Sequence, residues 1–423
     1  MKDANLYGFL PGNDAEQNAK ALQSAVDLGG EITVKQAGVY DLSETIWIGD
    51  DTTLIFEKGV QIRRQPNPTG RNGVAFLNKG AKTHTYNQNI KLIGLHIDCN
   101  GIESHDWGAD SRILVGLRAH VGMIYIKNLV VEDYECLGLL AKDYGIQVSA
   151  FENIRLEHLY ITGNKDGVHL GWGRGFVIRH GKFRTYDDPI ALNAFDYSTS
   201  NTHVGWIEDG VIEDCYDLDS DDTTGHFCRI LGGAWCDWYE GITVQHSSTV
   251  CANGRVYRVV MMPDGEVYTS LTPPSHSFGV AVYDGIRWVC VRDEAVYDCG
   301  CRNIVLRDIH LQKKRSGGAI SIALNDDCYA RSYMVGCKPV PQGNITFERI
   351  FIENEVPRLL VSNYPSENIT LKDTDMKDSR VCFSTIPLDG LVYPTVEFTF
   401  ENVIRTEGSL VADAGHPVCV IER

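Results

Sequence analysis

Over most of its length the chain alternates apolar and polar residues in bursts of five to seven positions. The segments at 303–309, 344–350 and 368–374 read Asn-Ile-Val-Leu-Arg-Asp-Ile, Asn-Ile-Thr-Phe-Glu-Arg-Ile and Asn-Ile-Thr-Leu-Lys-Asp-Thr, three versions of one phrase. Earlier variants begin at Asn89, Asn153 and Phe176, and a later one at Phe400. A period of two is that of a strand with one buried face. The phrases recur every 20–40 residues or so, separated by short turns containing Asp, Asn and Gly. One such strand cannot bury its own apolar face. Stacking successive coils, each strand parallel to the one below, makes a continuous core. The pattern predicts an all-β, single-stranded right-handed parallel β-helix from about residue 31 to 410. The amphipathic helices that βαβ units need are missing after the N-terminus, as are the regular Asn-Gly or Asp-Gly hairpins of a β-sandwich.

The N-terminal segment differs. Asn13 and Asp14 offer an Asx-type N-cap to a helix over 15–26 with Ala, Leu and Val on one stripe. Gly29 and Gly30 end it, and strands follow around 31–35, 38–42, 45–48, 53–56 and 59–62. This order of helix, Gly-Gly, strand and Gly-x-Tyr-x-Leu resembles the opening of pectin-lyase-like β-helix proteins. The resemblance implies that the helix caps the open end of the first coil. From 232 to 299 the rhythm stops, and Trp235, Trp238, Tyr239, Tyr257 and Trp288 appear among hairpin-type Gly turns. That text predicts a small antiparallel β module inserted into one continuous body made of 1–231 and 300–423. Its pattern is similar to small carbohydrate-binding modules and to modules of phage tail proteins. Its aromatic residues either stack on sugar rings or form the module's own small core.

Composition narrows the partners. With 39 basic and 56 acidic residues the formal net charge is −17, which argues against nucleic acid and against anionic membrane. No apolar run reaches the ~18 residues a membrane span needs. Thirteen Cys show no metal-ligand spacing and read as buried free thiols, a usage suited to a reducing compartment. No apolar leader follows Met1, so the expectation is a cytoplasmic protein if the chain is whole, or a secreted one if a signal peptide has been removed. Stacked β-helices often associate side by side, which makes a homo-oligomer an open expectation.

The chemistry concentrates in the middle coils. Asn164, Lys165 and Asp166 open one turn, with His169 just after, and Asp187 and Asp188 lie one plausible coil further on, with Asn193 following. A step of 21 residues from Asp166 to Asp187 predicts that these two stack on neighbouring rungs, about 4.8 Å apart at Cα. Three carboxylates in one patch resist joint ionisation, so one proton is retained. A protonated acid beside ionised ones is what glycoside hydrolysis needs. The competing reading is an Asx turn closing successive coils. The acids between Asp217 and Asp222 read as a solvated loop. His96, His105, His120 and His180 read as turn or surface residues, and the Asn-Ile-Thr sequons at Asn344 and Asn368 as asparagine-ladder turns. No metal site and no cofactor is indicated.

The run Asn164-x-Asp166-Gly167, followed by Asp187-Asp188-x-Ile-Ala-x-Asn193, resembles the polygalacturonases of glycoside hydrolase family 28. The resemblance implies that Asp166 and Asp188 hold the attacking water, that Asp187 is the general acid, and that the anomeric carbon is inverted. The family's Gly-His-Gly has a partial counterpart in Gly225-His226-Phe227. Its Arg-Ile-Lys, which grips a substrate carboxylate, has only Arg229-Ile230-Leu231 as its nearest text. Lys165 stands where the family has Thr, and His169 where an acid is common. Asn164, Lys165, His169, Asn193, His226 and Arg229 are therefore the expected substrate-binding residues, with Lys165 and Arg229 as the source of positive charge. The expected activity is inverting hydrolysis of an oligo- or polysaccharide. A polysaccharide lyase or sugar-isomerising enzyme, a tailspike-like glycan receptor and a sugar transferase remain as alternatives.

Overall fold

A computed structural model describes residues 2–104, 114–220 and 224–423. The helix, α1, spans Ala15–Val26; the Asp14 side chain accepts the Gln17 N–H at 2.7 Å, and Ala19, Leu22, Ala25 and Val26 are buried. These small and apolar residues close the first coil, whose strands Gly30–Val34 and Gly38–Leu42 pair in parallel with Thr52–Phe56 and Val60–Arg64. Gly29 and Gly30, at φ 63° and 74°, take the left-handed turn that ends the helix.

From there the chain winds into a single large sheet, nearly all of it paired in parallel, that reaches to Val418–Glu422. This is a parallel β-helix. Four strands on one face carry the candidate chemistry: β1 (Val168–Leu170), β2 (Ile190–Asn193), β3 (Cys228–Ala234) and β4 (Ile320–Leu324). Val168, Ile190, Cys228 and Ile320 stack in one column, and Leu170, Leu192, Ile230 and Ile322 in the next but one. All eight point inward and are fully buried; each aliphatic one contributes about 1.5–3 kcal/mol. At the corners, Asn303, Asn344 and Asn368 adopt φ of 59°, 54° and 50°. Their side chains form a ladder, Asn344 donating to Asn303 at 3.2 Å and Asn368 to Asn344 at 3.3 Å. Asn tolerates this left-handed conformation better than other non-Gly residues, so the sequons are the turns expected.

The segment after β3 leaves the coils. Cys236–Asp237, Thr249–Ala252, Arg255–Val259, Ile286–Arg292 and Val280–Tyr283 form a separate five-stranded sheet, and Asp298–Cys299 returns to pair with Gly233 and Ala234. Tyr257 and Trp288 are fully buried in a small core with Val250, Val259 and Ile286. Trp235 packs on Phe195 of the coils, at 5.7 Å between ring centroids. Of the aromatic residues singled out in this segment, these three are thus interior, and Tyr239, at 60% exposure, faces out.

Two readings need correction. His120 is wholly buried, with Asp143 at 3.5 Å and Ser104 at 3.3 Å, rather than a surface or turn residue. Asp217 is buried in a two-point ion pair with Arg315, at 2.8 and 2.9 Å, rather than solvated. The strand that ends there alternates inward and outward, and its last inward position falls on the acid. His105, Asp221 and Asp222 lie outside the described residues. Eight of the thirteen Cys are buried as free thiols and three are partly buried; Cys328 and Cys419 are exposed. No described helix is long and apolar enough to cross a membrane.

Candidate active site

The site forms at the N-terminal ends of β1, β2 and β3. Pairing Val168 with Ile190 sets a coil of 22 residues, so Asp188, not Asp187, stacks on Asp166. The inward apolar columns decide this register, since a slip of one residue would turn every buried side chain outward. His226 follows on the next rung, its backbone N–H donating to Asp188 Oδ1 at 2.7 Å. Asp187 sits one position earlier, in the turn. Even so, one carboxylate oxygen from each of Asp166, Asp187 and Asp188 lies within 4.8 Å of the others.

The three acids differ sharply in environment. The side chains of Asp166 and Asp188 are 0% exposed and that of Asp187 is 22% exposed. The three acids of the patch thus lie at two depths: one reaches the surface and two lie beneath it. Lys165 Nζ pairs with Asp187 and stands 3.5 Å from Asp166 Oδ1. Arg229 Nε lies 2.9 Å from Asp188 Oδ2, and its Nη2 is 3.5 Å from Asp196. The three carboxylates have the composition of a cation site, and the ammonium of Lys165 already occupies one side of it.

Burial and charge set the protons. Burial pushes Asp188 up to about 7, with Arg229 opposing and Asp187 and Asp166 reinforcing. Burial acts the same way on Asp166, but Lys165, the hydrogen bond and charge of His169, and Arg229 together outweigh it and hold Asp166 below the usual carboxylate range. Burial pulls His226 down to about 4, so its ring is neutral near pH 7. Because Nδ1 faces the Gly318 carbonyl at 2.8 Å, Nδ1 carries the proton and Nε2 is left as an acceptor. Asp188 therefore keeps its proton below about pH 7, well above the range in which a carboxyl ordinarily loses it.

The expected substrate-binding residues separate into two groups. Asn164 is exposed at the turn, Lys165 and Arg229 are mostly covered, and His226 is half-buried. His169 and Asn193 lie beneath the surface instead of facing a ligand. His169 holds Asp166 at 3.1 Å and stacks on Tyr144, with centroids 4.2 Å apart, while Asn193 donates to Asp196 at 2.9 Å. Each falls on a strand of this tightly stacked face, where even polar positions are enclosed. Gly225 is required where it stands: at φ 70°, a Cβ there would meet Asp187 atoms at 2.9 Å. Phe227, in place of a second Gly, points into the core and is fully buried.

Several contributors escaped the sequence reading. Asp196 shares Arg229 with Asp188, and its backbone carbonyl accepts from Arg258 of the separate sheet. The spacing Asn193-x-x-Asp196 was a signal for the first; nothing near Arg258 in sequence pointed to the second. Buried Lys313 donates to the Thr185 carbonyl at 2.8 Å, bracing the turn that carries Asp187. His169 Nε2, Asn193 Oδ1 and Asp196 Oδ1 are buried without a hydrogen-bond partner among the described residues. Each such group costs about 1–3 kcal/mol unless a water or a ligand meets it.

No protein-family model matches the sequence, and comparison with curated protein sequences gives no match. Solved structures do match the fold. The endo-xylogalacturonan hydrolase of Aspergillus tubingensis superposes with a TM-score of 0.53 at 12% identity, over 97% of this chain and 94% of that one. The Yersinia enterocolitica family 28 exopolygalacturonase gives 0.51 at 13%, over 100% and 77%. The pre-mature bacteriophage phi29 gene product 12 gives 0.51 at 12%, over 99% and 51%. At these identities the likeness is one of fold: the chain is a parallel β-helix similar in fold to these polygalacturonase-type proteins.

Proposed function

We propose that this protein hydrolyses a glycosidic bond in an oligo- or polysaccharide, with Asp187 as general acid and Asp166 and Asp188 holding the attacking water. The observation that carries this reading is the cluster itself: three carboxylates within 4.8 Å, of which Asp187 alone reaches the surface and Asp188 is pushed up to about 7 by burial. In the first half of the step Lys165 leaves Asp187 as substrate enters, and the proton of Asp188 becomes available to Asp187. Asp187 then protonates the glycosidic oxygen as the C–O bond breaks. Water, deprotonated by the buried acids, supplies the new bond to the anomeric carbon.

Separation alone would not select the stereochemistry. Oxygens within 4.8 Å of one another are nearer the roughly 5–5.5 Å of retaining enzymes than the roughly 6.5–9.5 Å of inverting ones. Burial supports inversion instead. Asp166 and Asp188 lie too deep to bond to a sugar carbon; once Lys165 moves aside, a water is the reactant small enough to reach them. The same burial, with both acids already paired to Lys165 and Arg229, favours a second reading in which the protein binds a glycan without cleaving it.

The deciding experiment is digestion of a glycan library with mass spectrometry of products, run beside Asp187→Asn. Hydrolysis predicts saturated products from the wild-type chain, a turnover loss of about 10²–10⁴ in the variant, and an inverted first anomer by NMR. Full turnover of a natural substrate by Asp187→Asn would refute the acid assignment. Glycan binding with no turnover in either protein would leave the second reading.

A further inference from the structure

We infer that a cleft between the inserted sheet and the turns of the earlier coils is a separate binding site for an acidic sugar unit; this extends the carbohydrate-active reading above but does not use its three acids. The cleft encloses about 480 Å³, within the range of small-ligand sites. Lys82, His84 and Tyr125 line it from the coils, and Arg255, Phe278 and Arg292 from the inserted sheet. It shares no lining residue with the cluster at Asp166, Asp187 and Asp188.

Its charge runs against that of the whole molecule. Among the described residues, Arg255 and Arg292 line it beside one acid, Asp293, and the stem of Lys82 borders it with the ammonium over the Trp47 ring at 3.5 Å, in a chain of net charge −17. Arg292 also reaches Glu294 at 3.3 Å, but that carboxylate is 72% exposed and well solvated. The Nε–H groups of Arg255 and Arg292 are shielded from water and find no acceptor among the described residues. A buried donor left bare is costly, and a carboxylate is the acceptor a guanidinium fits best. Arg292 is held for that task by the Trp172 ring, 3.9 Å below it.

The remaining walls are aromatic. Tyr125 is 4% exposed and stacks with His84 at 5.1 Å, and His84 meets Phe278 at 4.4 Å. Phe278 is 38% exposed at the rim. Ring faces of this kind cover the apolar C–H face of a pyranose, while the guanidinium groups take its carboxylate. Behind them His203 is kept neutral, first by burial and then by His84 and Arg292, so the positive charge belongs to the arginines and Lys82. An inorganic anion would leave the aromatic wall unused, and a neutral sugar would leave the guanidinium donors unmet.

The test is isothermal titration of the full chain with D-glucuronate and D-galacturonate, using D-glucose, D-galactose and sodium sulfate as controls. Both uronates should bind about tenfold or more tightly than the neutral sugars and than sulfate. Arg255→Gln, Lys82→Gln and Phe278→Ala should each weaken uronate binding severalfold, while Asp187→Asn should not change it. If Arg255→Gln fails to fold, the rim variants Lys82→Gln and Phe278→Ala carry the test. Equal affinity for neutral sugars or sulfate, no uronate binding, or uronate binding abolished by Asp187→Asn but untouched by the cleft variants would overturn the inference. Failure of the hydrolase reading is distinguishable, because it removes turnover and leaves this binding intact.

Discussion

Replacing Asp188 with Asn keeps an acceptor for the His226 N–H and removes the one carboxyl that burial pushes up to about 7. In the unfolded chain the same group titrates near 3.9. Between those values the folded protein binds one more proton than the unfolded one, so Asp188 makes stability fall as pH rises through the window and leaves it level above about 7. From pH 5 to 7 that is two units at about 1.4 kcal/mol each, or about 3 kcal/mol. Asp166 works the other way: held below the ordinary range, it adds stability that is present above pH 4 and lost as pH falls further. His226, lowered to about 4 by burial, makes stability rise between about 4 and 6.5. Both remain in the variant, so the difference between the two proteins isolates Asp188. Arg229 keeps a counter-charge in the variant, since Asp196 stays 3.5 Å away. Urea unfolding followed by circular dichroism at pH 5, 6, 7 and 8 measures this difference. The variant should gain about 3 kcal/mol on the wild-type chain between pH 5 and 8. A constant gap across that range, or a gap that narrows, would refute the placement of the proton on Asp188.

Other perturbations probe the rest of the argument. Arg315→Met strands Asp217 in the interior and should cost about 3–5 kcal/mol by urea unfolding, most of it recovered when Asp217→Leu is added. Gly210→Ala places a Cβ 2.0 Å from the Phe176 ring, and should destabilise by about 1–3 kcal/mol or more, with Phe176→Leu relieving the clash in the double variant. An aryl glycoside with an acidic phenol needs little protonation, so it should rescue turnover in Asp187→Asn but not in Asp166→Asn or Asp188→Asn; rescue of all three to the same extent would erase the distinction between acid and bases.

The fold was legible because its cause is local and repeated. Alternation of period two, recurring with Asn at several of the corners, leaves stacked parallel coils as the way to bury the apolar face, and α1 carried its own cap in Asp14 and its own stop in Gly29 and Gly30. The identity of the three clustered acids was likewise readable, since Asp166, Asp187 and Asp188 fall one coil apart. Their arrangement was not. Whether Asp187 or Asp188 stacks on Asp166 depends on a register set by inward residues such as Val168 and Ile190, and a count along the chain misses it by one position. Burial was equally out of reach: His169 and Asn193 look like ligand contacts in sequence, but neighbouring coils enclose them. Arg258 and Asp196 are 62 positions apart and meet because the inserted sheet folds back on the coils. Sequence by itself determined which residues repeat and which chemistry is present; tertiary structure decided which groups face water, which share a proton and which meet across the chain, because solvation and charge act through space and not along the backbone.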